Sequence, residues 1–191
     1  MTSISIIGTG NMSKAIAAVA ERGGNNVQTL GHSDSNVAVN GDIVVLAVPF
    51  SAVADIVDQR GDSLTGKVVV DITNPVNFET FDSLTVPAES SATAVIAGLL
   101  PNSHVLKAFN INFASTLTDG TLGSAPTTVL IAGDDNGAKT VLAEVVRSGG
   151  LTAVDAGSLS RARELESVGF LQMTLAASEK ITWTGGFGLT A

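Results

Sequence analysis

The sequence predicts an α/β domain of the Rossmann-like, doubly wound type: a mainly parallel sheet with helices on both faces. Three observations carry this expectation. Ile4-Ser5-Ile6-Ile7 reads as a strand and runs directly into Gly8-Thr9-Gly10-Asn11-Met12-Ser13, a glycine turn that opens a helical pattern. Continuous apolar runs, clearest from Asp42 to Val48 and from Lys67 to Thr73, suit strands buried on both faces of a parallel sheet. Such runs alternate with segments of helical period along the whole chain.

The first helix shows Met12, Ile16, Val19 and Ala20 on one stripe and stops at Gly23-Gly24, where a left-handed cap costs nothing sterically. Val27 to Leu30 is the second strand. It completes a strand–turn–helix–strand unit in which each residue of the turn has a mechanical role. Gly8 lets the chain turn tightly off the strand. Gly10 has no Cβ, so a pyrophosphate can approach the N–H groups of the helix N-terminus. Ser13 stands where a dinucleotide fingerprint has Gly or Ala; it is small, and its hydroxyl can bond back into the first turn. The strand then ends in Gly31-His32-Ser33-Asp34-Ser35, where an adenine ribose would be read. His32 and Ser33 offer donors in place of a strand-end carboxylate, which favours NADP over NAD, although no arginine accompanies them. The other reading of His32 is a solvated turn histidine.

Only Asn36 to Gly41 precede the third strand, so one crossover helix of a standard dinucleotide fold is expected to be reduced to a turn. Pro49-Phe50-Ser51 leads into a helix with Val53, Ile56 and Val57 inward and Ser51 as N-cap. The strand from Lys67 to Thr73 is ended by Asn74-Pro75. After irregular residues 76–87, a helix from Ala88 to Leu99 carries Ala92, Val95, Ile96 and Leu99 on one face. A strand from His104 to Phe109 and a polar loop with one short helix over 112–126 come next. Thr127 to Ala132 is a strand. Asp134 and Asp135 read as N-caps of a helix that buries Val141, Leu142, Val145 and Val146, and Leu151 to Val154 is the last strand. The final helix runs from about Arg161 to Ser178, ahead of a loop-like tail.

Composition narrows the function classes. The chain has 191 residues, 45% of them hydrophobic, with no repeat or Pro-rich linker, and is expected to be a single domain over 1–191. No apolar run approaches the roughly 20 residues of a membrane span. Residues 2–7 already read as strand, so no signal peptide is expected and the expected location is cytoplasmic. There is no cysteine, which removes disulfides, thiolate nucleophiles and thiolate metal sites; His32 and His104 are the only imidazoles, too few for a His-rich metal site. The absence of tyrosine excludes any catalytic tyrosine. Ten basic residues are dispersed under a net charge of −8, so no nucleic-acid footprint is present. An anionic dinucleotide must then be held by local donors.

Five segments in register resemble one family. These are Gly8-Thr9-Gly10-Asn11-Met12, Leu46-Ala47-Val48-Pro49-Phe50, Asp71-Ile72-Thr73-Asn74-Pro75, Lys107-Ala108-Phe109-Asn110 and Asp155-Ala156-Gly157-Ser158-Leu159. They resemble the NADP oxidoreductases dependent on the deazaflavin coenzyme F420, and are also similar to the NADPH-oxidising domain of the STEAP ferric reductases. The resemblance spans Ile4 to about Ala176. It implies one Rossmann domain that carries NADP(H) and passes hydride to a flavin-like small molecule, a deazaflavin or FMN/FAD. By position it implies Thr9, Gly10, Asn11 and Met12 on the pyrophosphate, beside Gly8 and Ser13 of the same turn. His32 and Ser33 stand in place of the family's Ser-Arg pair on the 2′-phosphate, a departure from its pattern. Ala47, Val48, Pro49, Phe50, Asn74, Pro75 and Ala108 fall around the nicotinamide.

No residue is expected to be an obligatory catalytic acid or base, since the sequence offers no carboxylate pair and no Ser-His-Asp set. Lys107, near the end of a buried strand, is read either as a charge at the ligand crevice or as a lysine reaching solvent at a sheet edge, the second being preferred. His104 should face the opposite end of the sheet. Asp71 is read as an acceptor that stabilises the following turn. Hydride transfer between two bound rings needs mainly proximity and orientation, which suits such a chain. An imine or pyrroline-carboxylate reductase, which also begins GxGxM but adds a helical C-terminal domain, and a non-catalytic NADP-binding sensor are the alternatives. In the last helix, Leu165, Val168, Phe170, Leu171, Met173 and Leu175 exceed one stripe. A homodimer through residues 160–191, with the Trp183–Phe187 tail in its interface, is therefore expected.

Overall fold

The computed structural model describes residues 1–189. Its first half runs β1 (Ser3–Ile7), α1 (Asn11–Arg22), β2 (Asn26–Leu30), β3 (Ile43–Leu46), α2 (Val53–Leu64) and β4 (Val68–Asp71). The second half continues with α3 (Ala92–Leu99), β5 (His104–Lys107), α4 (Ala114–Asp119), β6 (Thr121–Leu122) and β7 (Ala125–Pro126). It closes with β8 (Thr128–Gly133), α5 (Asn136–Ser148), β9 (Thr152–Gly157) and α6 (Ala162–Ala177). Seven strands form one sheet in the order β2-β1-β3-β4-β5-β8-β9, while β6 and β7 make a separate small hairpin. One face packs on α1 and α5 through Ile16, Val19, Leu142 and Val146; the other packs on α2 and α3 through Val53, Leu64 and Ile96. The apolar runs of β1, β3 and β4 are buried because both faces are covered. Each fully buried aliphatic side chain there contributes roughly 1.5–3 kcal/mol.

The sheet departs from a wholly parallel one at β8, which pairs antiparallel with β5; β9 then pairs parallel with β8. The reason lies in the connection. Residues 108–127 are long enough for a parallel crossover, but they carry no long helix to span the sheet: α4 has only six residues and is followed by the hairpin. The shortened link between β2 and β3 is present as expected. One turn of 3-10 helix and a loop replace the crossover helix there, and buried Arg60 of α2 donates to the carbonyls of Asp34 and Val37.

Several local expectations are corrected. Helix α3 begins at Ala92, not Ala88, because the Ser91 side chain accepts from the Ala94 N–H and caps it there. It buries Ala92, Thr93 and Ile96 and leaves Val95 and Leu99 exposed. Ser51 does not cap α2; a 3-10 turn over Phe50–Ala52 leads into that helix. Val141 is exposed on α5. Asp135 is the N-cap of α5, accepting from the Ala138 N–H, whereas Asp134 accepts from Leu159. Helix α6 buries Leu165, Glu166, Gly169, Gln172 and Ala176, and leaves Val168 and Leu171 on the surface. Among the described residues, no helix is long and apolar enough to cross a membrane.

Candidate functional site

The glycine turn joins β1 to α1. Gly8 has φ +125°, and a Cβ added to it would lie 2.1 Å from the Ala47 carbonyl oxygen, so both conformation and close approach require glycine. The Ser13 hydroxyl donates to the Gly8 carbonyl at 2.6 Å and locks the turn to the helix. Gly10 is different: its φ is −73°, and a Cβ there meets nothing within 4 Å. Helix α1 has no side-chain cap. Open space therefore lies over an uncapped helix start, the arrangement an anion needs. Thr9 and Asn11 are exposed beside it. At the end of β2, His32 and Ser33 are exposed, while the Asp34 carboxylate folds back to accept from the Gly31 N–H at 2.7 Å. The one arginine near this corner, Arg60, is engaged with backbone carbonyls.

A cleft of about 700 Å³ opens at the C-terminal ends of β1, β3, β4 and β5. Gly10, Asn11 and Met12 border it from α1, Ala47, Val48, Pro49 and Phe50 from the β3 end, and Thr73 and Asn74 from the β4 end. Phe109, Asn110, Asn112 and Phe113 come from the segment after β5, Met173 from α6, and Trp183 and Thr184 from the tail. None of its lining residues is Asp, Glu, Lys, Arg or His. The chain has seven phenylalanines and one tryptophan; five of these, Phe50, Phe78, Phe109, Phe113 and Trp183, line this one cleft.

The floor is rigidly built. Asn74 donates to the Asn110 carbonyl at 2.8 Å, and Asn110 Nδ2 donates to Asn74 Oδ1 at 3.0 Å and to the Leu165 carbonyl at 2.9 Å. A Cβ on Gly169 would meet Asn74 Oδ1 at 2.5 Å, so α6 lies directly over this pair. Phe109 has φ +62°, a left-handed conformation unusual for a bulky residue. This turn ends β5 at Lys107, and buried Ala108 does not line the cleft, contrary to expectation. Pro75 is buried and also lies outside the lining. Thr73 Oγ1 and Asn110 Oδ1, both buried at the floor, lack a hydrogen-bond partner.

Below the floor lies a cluster the sequence reading missed. Lys107 is neither at a sheet edge nor in reach of solvent: its side chain is 0% exposed, with Asp71 Oδ2 at 2.8 Å and Glu166 Oε1 at 2.9 Å. Its ammonium also donates to the Thr73 carbonyl at 2.6 Å. Asp71 Oδ1 accepts from the Thr73 N–H at 2.7 Å, as expected of a turn-stabilising acceptor, and Asp71 Oδ2 accepts from Thr93 Oγ1 at 2.7 Å. Glu166 accepts from the Ala92 and Thr93 N–H groups at the start of α3. The exposed His104, by contrast, pairs with Asp135 at 3.0 Å, away from the cleft.

Phe78 and Phe113, also in the lining, carried no signal in the sequence; Met173 and Trp183, expected in a dimer interface, line the cleft as well, and Trp183 packs on Phe113 of its own chain at 5.0 Å between ring centroids. The compositional clue was the scarcity of aromatics, which makes each one informative.

Sheet order, glycine turn and strand-end cleft place the chain in the Rossmann-like class of α/β proteins. A family model described as "NADP oxidoreductase coenzyme F420-dependent" matches residues 18–75. An F420-dependent NADP reductase of Methanocaldococcus jannaschii is 26% identical over 94% of this chain and 85% of its own length. Metalloreductase STEAP3 of Rattus norvegicus is 35% identical over 66% of this chain, which is 24% of that protein. A crystal structure from Arthrobacter sp. FB24, provisionally described as an F420-dependent NADP-reductase, superposes with a TM-score of 0.87 over 100% of both chains at 21% identity, and so shares the fold. The chain is thus similar to the F420-dependent NADP oxidoreductases over nearly its whole length, and over a shorter stretch to the STEAP metalloreductases.

Proposed function

We propose that the chain is an NADP(H)-dependent oxidoreductase that exchanges hydride with a flavin-like acceptor, either a deazaflavin such as F420 or FMN/FAD. The observation that carries this is the cleft itself: rich in aromatic rings and without one ionisable side chain among its lining residues. Reduction of an imine or ketone by nicotinamide calls for a proton donor at the reacting atom. Hydride passage between two planar rings calls for alignment and exclusion of water. The aromatic walls of the cleft favour the second, and its lining has no ionisable side chain for the first, which also weighs against the imine-reductase reading.

The residues suit an NADP-type ligand. The open space at Gly10 over the uncapped α1 would take the pyrophosphate, with Thr9, Asn11 and Met12 around it. His32 and Ser33 would face the ribose 2′-phosphate, although the nearby Asp34 carboxylate keeps the expected preference over NAD modest. Ala47, Val48, Pro49 and Phe50 would wall the nicotinamide, and the unpartnered Thr73 and Asn110 oxygens would lie below it. NADP(H), when bound, supplies the hydride; the protein's part is to hold the two rings face to face.

The decisive variant is Gly10→Val. Its side chain has room in the folded chain, so thermal stability should match the wild type while NADPH affinity falls at least about tenfold, equivalent to roughly 1.4 kcal/mol. Wild-type protein should oxidise NADPH with F420, FMN or FAD and leave cyclic imines unchanged. Normal NADPH binding by Gly10→Val, or turnover of an imine with no flavin accepted, would overturn the proposal.

A further inference from the structure

The tail after α6 is not loosely appended. The Trp183 carbonyl accepts from Ser115 Oγ at 2.9 Å, and the Phe187 N–H donates to Gln172 Oε1 at 2.9 Å. Gln172 is 1% exposed and its Nε2 donates to the Ile111 carbonyl at 3.0 Å, so one buried amide ties the tail to the segment after β5. These two anchors seat the indole of Trp183 against Phe113 with an interplanar angle of 52°. Trp183 is 52% exposed and lines the cleft, so part of its surface is presented to whatever enters.

The wall carrying Phe113 and Trp183 comes from parts of the chain outside the β1–α1–β2–β3–β4 unit that would hold the dinucleotide. Indole is an electron-rich, rigid platform, and flat aromatic ligands stack on such surfaces with little loss of side-chain freedom. We propose that Trp183 is the stacking residue for the acceptor ring, and that it selects a fused planar tricycle of the isoalloxazine or deazaisoalloxazine type over smaller carbonyl or imine substrates. This rests on the flavin-like reading of the cleft. It assigns the tail to substrate recognition within one chain, where the sequence had suggested a subunit interface.

The test uses Trp183→Ala and Trp183→Phe in the full chain, with FMN and F420 as probes. Trp183→Ala should raise KM for the acceptor about tenfold, the size expected for loss of one aromatic stacking partner. Its NADPH affinity, titrated without acceptor, should stay within twofold of wild type. Trp183→Phe should recover most of the acceptor affinity. Indole stacked on an oxidised flavin gives a long-wavelength charge-transfer shoulder; FMN bound to wild type should show it, and FMN bound to Trp183→Ala should not. A larger effect of F420 than of FMN would identify the deazaflavin as the better-fitted ring. If Trp183→Ala keeps wild-type acceptor KM and spectrum, or loses NADPH affinity instead, the role of Trp183 is refuted while the flavin reading stands. Wild-type protein that oxidises NADPH with neither probe refutes both. Should Trp183→Ala fold poorly, Trp183→Phe decides: it keeps packing on Phe113, and an unaltered shoulder with the weaker phenyl donor refutes the assignment.

Discussion

Lys107 carries a charge into a place that water does not reach, and three oxygens from β4, its following turn and α6 share its ammonium. Replacing it by Met preserves much of the volume but strands two buried carboxylates. Breaking a buried pair in this way typically costs about 3–5 kcal/mol, which urea denaturation of Lys107→Met should register. A lysine reaching solvent at a sheet edge, the reading preferred from the sequence, could be truncated at little cost; in its observed place Lys107→Ala is expected to cause a folding defect. A clue was available, since Asp71 and Lys107 are each the last residue of a short apolar strand and stand opposite each other in the β4–β5 register. Glu166 was not legible, because its partners lie in segments that only the packing of α6 brings to it. Gly8 and Ser13 were readable because their partners are close in sequence or fixed by the fold class.

At the scale of elements, local chemistry set what could be read. Strands β1, β3 and β4 announced themselves because both faces are buried, whereas the reversal at β8 left no such pattern in the sequence. Helix starts followed their caps, and Asp135 illustrates the consequence. Its carboxyl is held below its ordinary 3.8 chiefly by the Ala138 N–H, with the His104 charge and hydrogen bond adding to this. A depressed pKa of this kind stabilises the fold above the unfolded value, and the contribution is lost as pH falls through the folded one. Asn also caps helices well but does not titrate. Thermal midpoints of wild type and Asp135→Asn should therefore converge as pH drops below about 3.8 from the neutral range. A difference that stays constant down to pH 2 would show that the cap does not feel its charge.

For the whole molecule, the expected homodimer shifts its ground. Trp183 lies in its own chain's cleft, while Val168 and Leu171 remain 37% and 51% exposed on α6, so this helix face is the surface proposed for a second copy. Light scattering should give twice the chain mass, and Leu171→Glu should reduce it to the single-chain value; a wild-type monomer at high concentration would refute this. Overall architecture and the glycine-turn end of the cleft were legible because a glycine turn and buried strands leave strong local patterns. The far wall was not, since a tail without periodicity gives no sign of where it docks. The buried cluster also bears on the order in which the protein is made. Asp71 and Lys107 emerge during synthesis well before Glu166, and the first N–H groups of α3 take their side-chain acceptor from that same glutamate. A nascent chain whose strands have all emerged therefore still lacks the carboxylate that completes this centre until α6 has left the ribosome, so the domain is expected to close late and as a unit.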